Sequence, residues 1–272
     1  MGKSKKYDYN LPPVINNFVV LTDIHSNNRY LSNMAMDYDF CVLCGDYSNA
    51  GKYGEFQQSF VGMPQKPILA VVGNHDYNGD YQNFSQRPDN FYQKVRDLGF
   101  FYLWVQEGGD AAAFQFLNDN ANRAISDKHV FIVVHHPIYS TGEFGASKSI
   151  SIQMEQFIDT HPELKIRAVF SGHDHLFSAF KRNEQFFFVA GAGGGKIDPM
   201  TSYSFARERL WSEKKLHGPL AVLNDECYGY EHHLDSWMQF TRTEVNFYVD
   251  KIIYQVRNLK SNNIIASYEQ TF

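Results

Sequence analysis

Five times along this chain an apolar run breaks off into a short polar cluster: Asp23-Ile24-His25, Gly45-Asp46, Gly73-Asn74-His75-Asp76, His135-His136 and Gly172-His173-Asp174-His175. The runs before them, Phe18 to Leu21, Phe40 to Cys44, Ile68 to Val72, Val130 to Val134 and Arg167 to Ser171, are short and rich in β-branched or aromatic residues, the pattern of buried strands. Each cluster is therefore expected where a strand ends and a loop begins. In open α/β sheets ligands bind along that edge, because strand ends hold side chains firmly while the loops leave room for substrate.

Between the runs, helical spacing predicts helices over Arg29 to Met36, Tyr53 to Val61, Asp89 to Leu98 and Ser147 to Thr160, the last with Ile150, Met154, Phe157 and Ile158 on one face. Such alternation of strand and helix predicts a layered α/β architecture. From Phe186 onward short strands are expected at Gln185 to Ala190, Pro219 to Leu223, Trp237 to Thr241, Glu244 to Val249, Ile252 to Val256 and Asn263 to Tyr268, antiparallel and forming a second sheet packed on the first. Phe186-Phe187-Phe188 reads as core strand and not as a base-stacking platform. The polar, basic stretch from Gly195 to Gly218 suits a surface helix or lid, or equally a solvated connection.

With 272 residues, 43% of them hydrophobic, the chain can bury one sizeable core, so a single domain over 1–272 is expected, with residues 1–13 as a flexible tail. A formal charge of -5 is too mild to point to a membrane or a nucleic-acid partner, although nucleic acid stays open as a substrate. No secretory signal follows Met1, and no run reaches the roughly 18 apolar residues of a membrane span, so a cytoplasmic chain is expected. Cys41 and Cys44 fall in one strand and point to opposite faces; with Cys227 they read as reduced residues and not as a zinc ribbon. The sequon Asn83-Phe84-Ser85 is short enough to arise by chance and carries little weight.

The residue types in the clusters suit hydrolysis of a phosphate ester. Two cations about 3.5–4 Å apart can clamp phosphoryl oxygens and generate a nucleophile from water, which needs one bridging carboxylate and a few further donors for each ion. Asp46 is the best bridge, because it follows a buried strand and a glycine that lets the backbone turn sharply. Asp23 and His25, two apart in extended geometry, can reach one ion together, while His173 and His175 can serve one ion or, if the turn splays them, one each. Asn74 offers a neutral carbonyl oxygen, and His75 beside it can supply a proton without being a ligand. A single histidine on an apolar strand is usually a hydrogen-bonded core residue; five clusters in series reverse that reading, since so many ionisable groups at strand ends would otherwise stay unpaired. His136 should point away from His135 and reads as a packing or supporting residue, and His232 and His233 as surface residues. Gly191-Ala192-Gly193-Gly194-Gly195-Lys196 lacks the spacer and the ending of a P-loop and reads as a flexible turn near the metals.

In order and spacing the clusters resemble the calcineurin-like metallophosphoesterase superfamily, whose motifs run D-x-H, G-D, G-N-H-[DE], H and G-H-x-H. The resemblance implies a four-layer α/β/β/α sandwich around two central mixed sheets. It implies a first metal held by Asp23, His25, Asp46 and His175 and a second held by Asp46, Asn74, His135 and His173. His75 would be the acid or the transition-state stabiliser, with Asp76 fixing its tautomer. The longer wording, Val72 to Gly79, His135-His136-Pro137-Ile138-Tyr139-Ser140 with Glu143 and Gly145, and Ser171 to His175, is similar to the tartrate-resistant, purple acid phosphatase branch. Two departures matter. Asn49 stands where that branch carries an iron-binding tyrosine, and Phe144 where it carries a further histidine. A first ion with His25 in place of a phenolate has no basis for a purple colour, and proton donation then rests on His75 alone.

The expectation is thus a binuclear-metal phosphatase acting on phosphomonoesters through attack of a metal-bound hydroxide, with His75 assisting the leaving group. Mn, Fe, Zn or Co, divalent or in mixed valence, would suit the mixed nitrogen and oxygen donors. The alternatives are a phosphodiesterase or nuclease using the same site, and a non-catalytic interaction scaffold.

Overall fold

The computed structural model describes residues 17–34, 38–77, 80–81, 87–105, 111–198, 215–217 and 232–272. Two sheets carry the chain. The first has the order β14-β13-β12-β1-β2-β3 and is built from β1 (Asn17–Leu21), β2 (Phe40–Leu43), β3 (Ile68–Ala70), β12 (Thr241–Phe247), β13 (Lys251–Asn258) and β14 (Ile264–Thr271). The second has the order β10-β11-β8-β9-β7-β6-β5-β4, from β4 (Phe91–Val95), β5 (Leu98–Leu103), β6 (His129–Val134), β7 (Ile166–Ser171), β8 (Phe177–Arg182), β9 (Gln185–Ala190), β10 (Lys215–His217) and β11 (His233–Trp237). Both sheets are mixed: β1, β2 and β3 run parallel and β12 antiparallel to β1, while β5, β6, β7 and β9 run parallel with antiparallel strands at both flanks.

Side-chain alternation sorts the core into layers. Phe18 and Val20 of β1 and Phe40 and Val42 of β2 face inward and meet Phe100, Phe131, Phe170 and Phe188 of the second sheet. The ring of Phe18 lies 5.1 Å from Phe40, 5.4 Å from Phe100 and 5.3 Å from Phe131, the offset and edge-on spacings that aromatic quadrupoles favour. Val19, Leu21, Cys41 and Leu43 point the other way, onto Phe56 of α1 (Tyr53–Ser59) and onto Leu31 and Met34 of the segment after β1. On the outer face of the second sheet, Phe101, Val130, Ile132 and Val169 are covered by α2 (Ala111–Asn120), through Ala113, Phe114 and Leu117, and by α3 (Lys148–Thr160), through Ile150, Met154, Phe157 and Ile158. The result is the four-layer α/β/β/α sandwich.

Several expectations are corrected. The segment Asp89 to Leu98 is not a helix but β4 and the start of the β4–β5 hairpin. Phe91, Val95 and Leu98 satisfy helical spacing, yet β4 is an edge strand that buries only its two ends, and Arg96 turns the chain with φ 59. Arg29 to Met36 holds a single 3-10 turn over Leu31–Asn33, and residues 35–37 lie outside the described residues. The carboxy-terminal strands β12, β13 and β14 do not form a second sheet; they are an antiparallel meander that extends the first sheet through the pairing of β12 with β1. Trp237 to Thr241 straddles the passage from β11 in one sheet to β12 in the other. His233 is buried, with its Nε2 2.9 Å from Ser236 Oγ, and is no surface residue. Cys41 and Cys44 are free, buried and turned to opposite faces. The tail 1–13, the sequon at Asn83, the strand Pro219 to Leu223, Cys227 and most of the segment Gly195 to Gly218 lie outside the described residues. Among the described residues, no helix is long and apolar enough to cross a membrane.

Candidate metal centre

Since β1, β2 and β3 run parallel, their carboxyl ends share an edge, and so do those of β6 and β7. The sandwich brings the two edges together, and the loops cross-link there. Gly172 N donates to His135 O at 2.9 Å, and His173 N lies 3.1 Å from Asp23 Oδ2. Eight non-glycine residues described here have positive φ, and Asp23, His25, Asp46 and His173 are among them at 50, 51, 51 and 72. Such left-handed backbone costs of the order of 1–3 kcal/mol per residue and persists where surrounding structure enforces it. Gly45, with φ 94, lets the turn before Asp46 close; a Cβ there would lie 2.6 Å from His135 Nδ1.

Two groups of donors result. In the first, His25 Nε2 lies 3.1 Å from His175 Nε2 and 3.7 Å from Asp46 Oδ2, and His175 Nε2 lies 3.6 Å from Asp23 Oδ1. In the second, His135 Nε2 lies 3.3 Å from Asp46 Oδ2 and 2.9 Å from Asn74 Oδ1, which is 3.1 Å from His173 Nδ1. Asp46 Oδ2 is common to both, and the turn splays His173 and His175 into different groups. The sets Asp23–His25–His175, His25–Asp46–His75 and Asp23–Asp46–His135 each place their donor atoms within 4.8 Å of one another.

The far sides of the rings assign their protons, and with them the chemistry. His175 Nδ1 donates to Lys196 O at 2.6 Å, His135 Nδ1 to Cys44 O at 2.8 Å, and His25 Nδ1 to Asn49 Oδ1 at 3.1 Å, the amide being oriented by its own donation to His25 O at 2.9 Å. Each Nε2 therefore carries a lone pair directed inward. Two such lone pairs face each other at 3.1 Å between His25 and His175, and a third faces the oxygens of Asp46 and Asn74. Positive charge has to sit among them. At His135 a proton can supply it: burial alone would lower its pKa, but the Asp46 carboxylate raises it to about 9. Burial pushes the buried carboxyl of Asp23 up to about 6 and drives His173 down to about 3, His135 and His136 adding to the second effect. A pair of cations satisfies all of these donors together. With metal–nitrogen bonds of 2.0–2.1 Å, donors on one ion lie about 2.9–3.4 Å apart, the spacing of the tightest pairs here.

His75 approaches the first group, with its ring 4.8 Å from that of His25, and its Nδ1 donates to Asn49 O at 2.8 Å. Asp76 does not fix that tautomer. Its carboxylate turns the other way and accepts from Asp46 N at 2.6 Å, Gly73 N at 3.0 Å, and Ser48 N and Oγ both at 2.9 Å. Three neighbouring amides outcompete one imidazole, so Asp76 pins the turn that presents Asp46. His136 supports the second group: its Nδ1 donates to Val105 O at 2.8 Å and its ring lies 4.3 Å from that of His173.

Asn49, Asp174, Asp198 and Thr22 escaped the sequence reading as supports. Asp198 Oδ2 accepts from His175 N at 3.0 Å, and Thr22 Oγ1 donates to Asp23 Oδ2 at 2.7 Å. The glycine turn lies beside the first group, where Gly194 N and Gly195 N donate to Asp23 O at 3.0 and 2.8 Å. Asn49 and Asp198 had a signal: a polar residue three past the bridging position, and a carboxylate ending the glycine-rich turn.

The fold has counterparts among solved structures. A purple acid phosphatase from yellow lupin (Lupinus luteus) has TM-score 0.70 at 11% identity, over 95% of this chain and 54% of that one, so this chain spans about half its length. A dimetal phosphatase from Danio rerio has TM-score 0.60 at 9% identity, over 95% and 99%. GAP50, the anchor in the inner membrane complex of Plasmodium, has TM-score 0.66 at 14% identity, over 94% and 89%. At such identities these likenesses show the fold. No curated protein sequence matches this chain. The profile of the calcineurin-like phosphoesterases matches residues 17–177, a span that holds more than half of the chain and all five polar clusters, and the chain belongs to that family.

Proposed function

We propose that this protein is a binuclear-metal phosphatase that hydrolyses phosphomonoesters. The observation that carries the reading is the pair of donor groups sharing Asp46 Oδ2, with inward lone pairs that call for two cations. Asp23, His25, Asp46 and His175 would hold one ion, and Asp46, Asn74, His135 and His173 the other. When bound, the ions would polarise the phosphoryl oxygens and lower the pKa of water. The chain's own residues do the rest. The carbonyl of Asn49 keeps the proton of His75 on Nδ1, so Nε2 is the atom that exchanges a proton with the departing alcohol. Asn49 and the backbone of Lys196 hold the rings of His25 and His175 in place.

Asn49 pairs with His25 instead of offering a phenol, and Tyr47 is buried against Phe56 and Phe60, so a purple charge-transfer colour is not expected. Retention of the full donor set argues against a purely anchoring role like that named for the Plasmodium protein. The test is metal analysis of the purified chain together with hydrolysis of p-nitrophenyl phosphate and its bis ester. Two ions per chain and preference for the monoester are expected, and Asp46→Ala or His75→Ala should cut turnover by orders of magnitude with the fold intact. A metal-free protein after reconstitution, or near-normal turnover in either variant, refutes the reading; preference for the bis ester assigns diesters instead.

A further inference from the structure

Asp174 sits between two histidines of the donor groups yet belongs to neither group. It is fully buried, and its carboxylate reaches across to the turn that follows β6. Oδ2 accepts from Ser140 Oγ at 2.5 Å, and Oδ1 accepts from Phe144 N at 2.9 Å. Ser140 Oγ in turn accepts from Gly142 N at 2.9 Å, and the turn closes so tightly that a Cβ on Gly142 would lie 2.2 Å from Asp174 Cγ. A buried carboxylate, costly to desolvate, is thus spent on fixing the backbone of one short turn.

That turn presents Phe144. The side chain is 63% exposed, and its ring centre lies 5.1 Å from that of His173 in the second donor group. A single exposed aromatic is ordinary. Here the aromatic's own amide is anchored to a buried carboxylate, so the backbone that carries the ring is fixed beside the second donor group while the ring stays exposed. The aromatic rim also continues past it. His136 packs on His173 and donates to Val105 O, and Trp104, next in the chain, stacks at 3.8 Å on Tyr77, which is 45% exposed and two residues beyond His75. The first donor group is flanked instead by the backbone of Gly194 to Lys196.

Resting on the phosphatase reading, we propose that Phe144 is a specificity-determining residue: held by the Asp174-anchored turn, it packs against a flat aromatic group on the alcohol side of the ester. Aryl phosphates and nucleoside phosphates share that chemistry; small aliphatic phosphates lack it.

The experiment is calorimetric binding of non-hydrolysable phosphonates to the metal-loaded full chain, so that leaving-group acidity does not enter. Phenylphosphonate should bind more tightly than methylphosphonate by about three- to tenfold, the range expected of an aromatic pair. Phe144→Ala should bring the ratio close to one, and Phe144→Trp should keep it. A parallel pair, the phosphonate analogues of AMP and of ribose 5-phosphate, tells a nucleoside from an aryl group. A ratio above one in either pair that collapses in Phe144→Ala supports the proposal. Ratios of one in both pairs, or a ratio that survives Phe144→Ala, overturn it while leaving the phosphatase reading intact. If methylphosphonate itself fails to bind the metal-loaded chain, the phosphatase reading fails and the proposal falls with it.

Discussion

Replacing Asp76 separates a residue that holds the bridging turn from one that acts on His75. Its carboxylate receives the amides of Asp46, Ser48 and Gly73 in a fully buried position. Alanine strands all three. At about 1–3 kcal/mol for each buried donor left without an acceptor, the loss is about 3–9 kcal/mol, set against roughly 5–15 kcal/mol for a typical domain. Asparagine can turn its oxygen toward the Asp46 and Gly73 amides and donate its NH2 to Ser48 Oγ, which strands chiefly the Ser48 amide and costs about 1–3 kcal/mol. The cost sits low in that range, because burial and the Asp46 charge already push the Asp76 carboxyl up to about 7, and the carboxamide removes that like charge. The assay is urea unfolding of the chelated protein at pH 8, alongside the turnover of the metal-loaded enzyme. Equal losses of stability in the two variants would refute this role for Asp76. So would an Asp76→Asn variant that keeps its stability but loses as much turnover as His75→Ala.

Gly195→Ala would place a Cβ 2.8 Å from His175 Cε1 and 2.9 Å from His25 Cδ2, so the metal content should fall toward one ion per chain while the second donor group keeps its own. Phe18→Ala removes the ring on which both sheets close and should cost about 3–5 kcal/mol in denaturant unfolding; a loss under 1 kcal/mol would deny it that place. His129 is buried with Nδ1 accepting from Arg167 Nε at 3.0 Å, and burial together with the charges of Arg167, Lys128 and Lys165 lowers it to about 4. Below pH 6.5 the unfolded chain takes up a proton that the folded one refuses, so stability should fall between pH 6.5 and 4. The drop is about 1–2 kcal/mol after allowance for partial solvent screening. His129→Gln should flatten it, and an unchanged slope would show that other groups carry the acid sensitivity.

The strands before the clusters could be read because their apolar runs are buried on both faces, so local pattern and tertiary environment agree. β4 could not: as an edge strand it buries only Phe91 and Val95, and its spacing mimics a helix until β5 pairs with it. Nor does a local pattern tell which sheet a strand joins, and β12 is fixed in the first sheet by its register with β1, Val245 opposite Phe18. In the site, the residues that bring donor atoms inward were legible from chemistry and spacing. Their supports were not. Asp76 and Asp174 sit inside the motifs, yet apart from the Gly73 amide their partners are amides and hydroxyls of other loops, a choice made only when the loops meet.

Each donor group draws on both layers: Asp23 and His25 follow a strand of one sheet and His175 a strand of the other, while Asp46 and Asn74 stand opposite His135 and His173. An ion held there would act as a rivet between the two halves of the sandwich. Shear between the sheets would then be felt as a change in coordination before it was felt as unfolding, and the precision of the chemistry would be inherited from the phenylalanines that lock the layers several residues below.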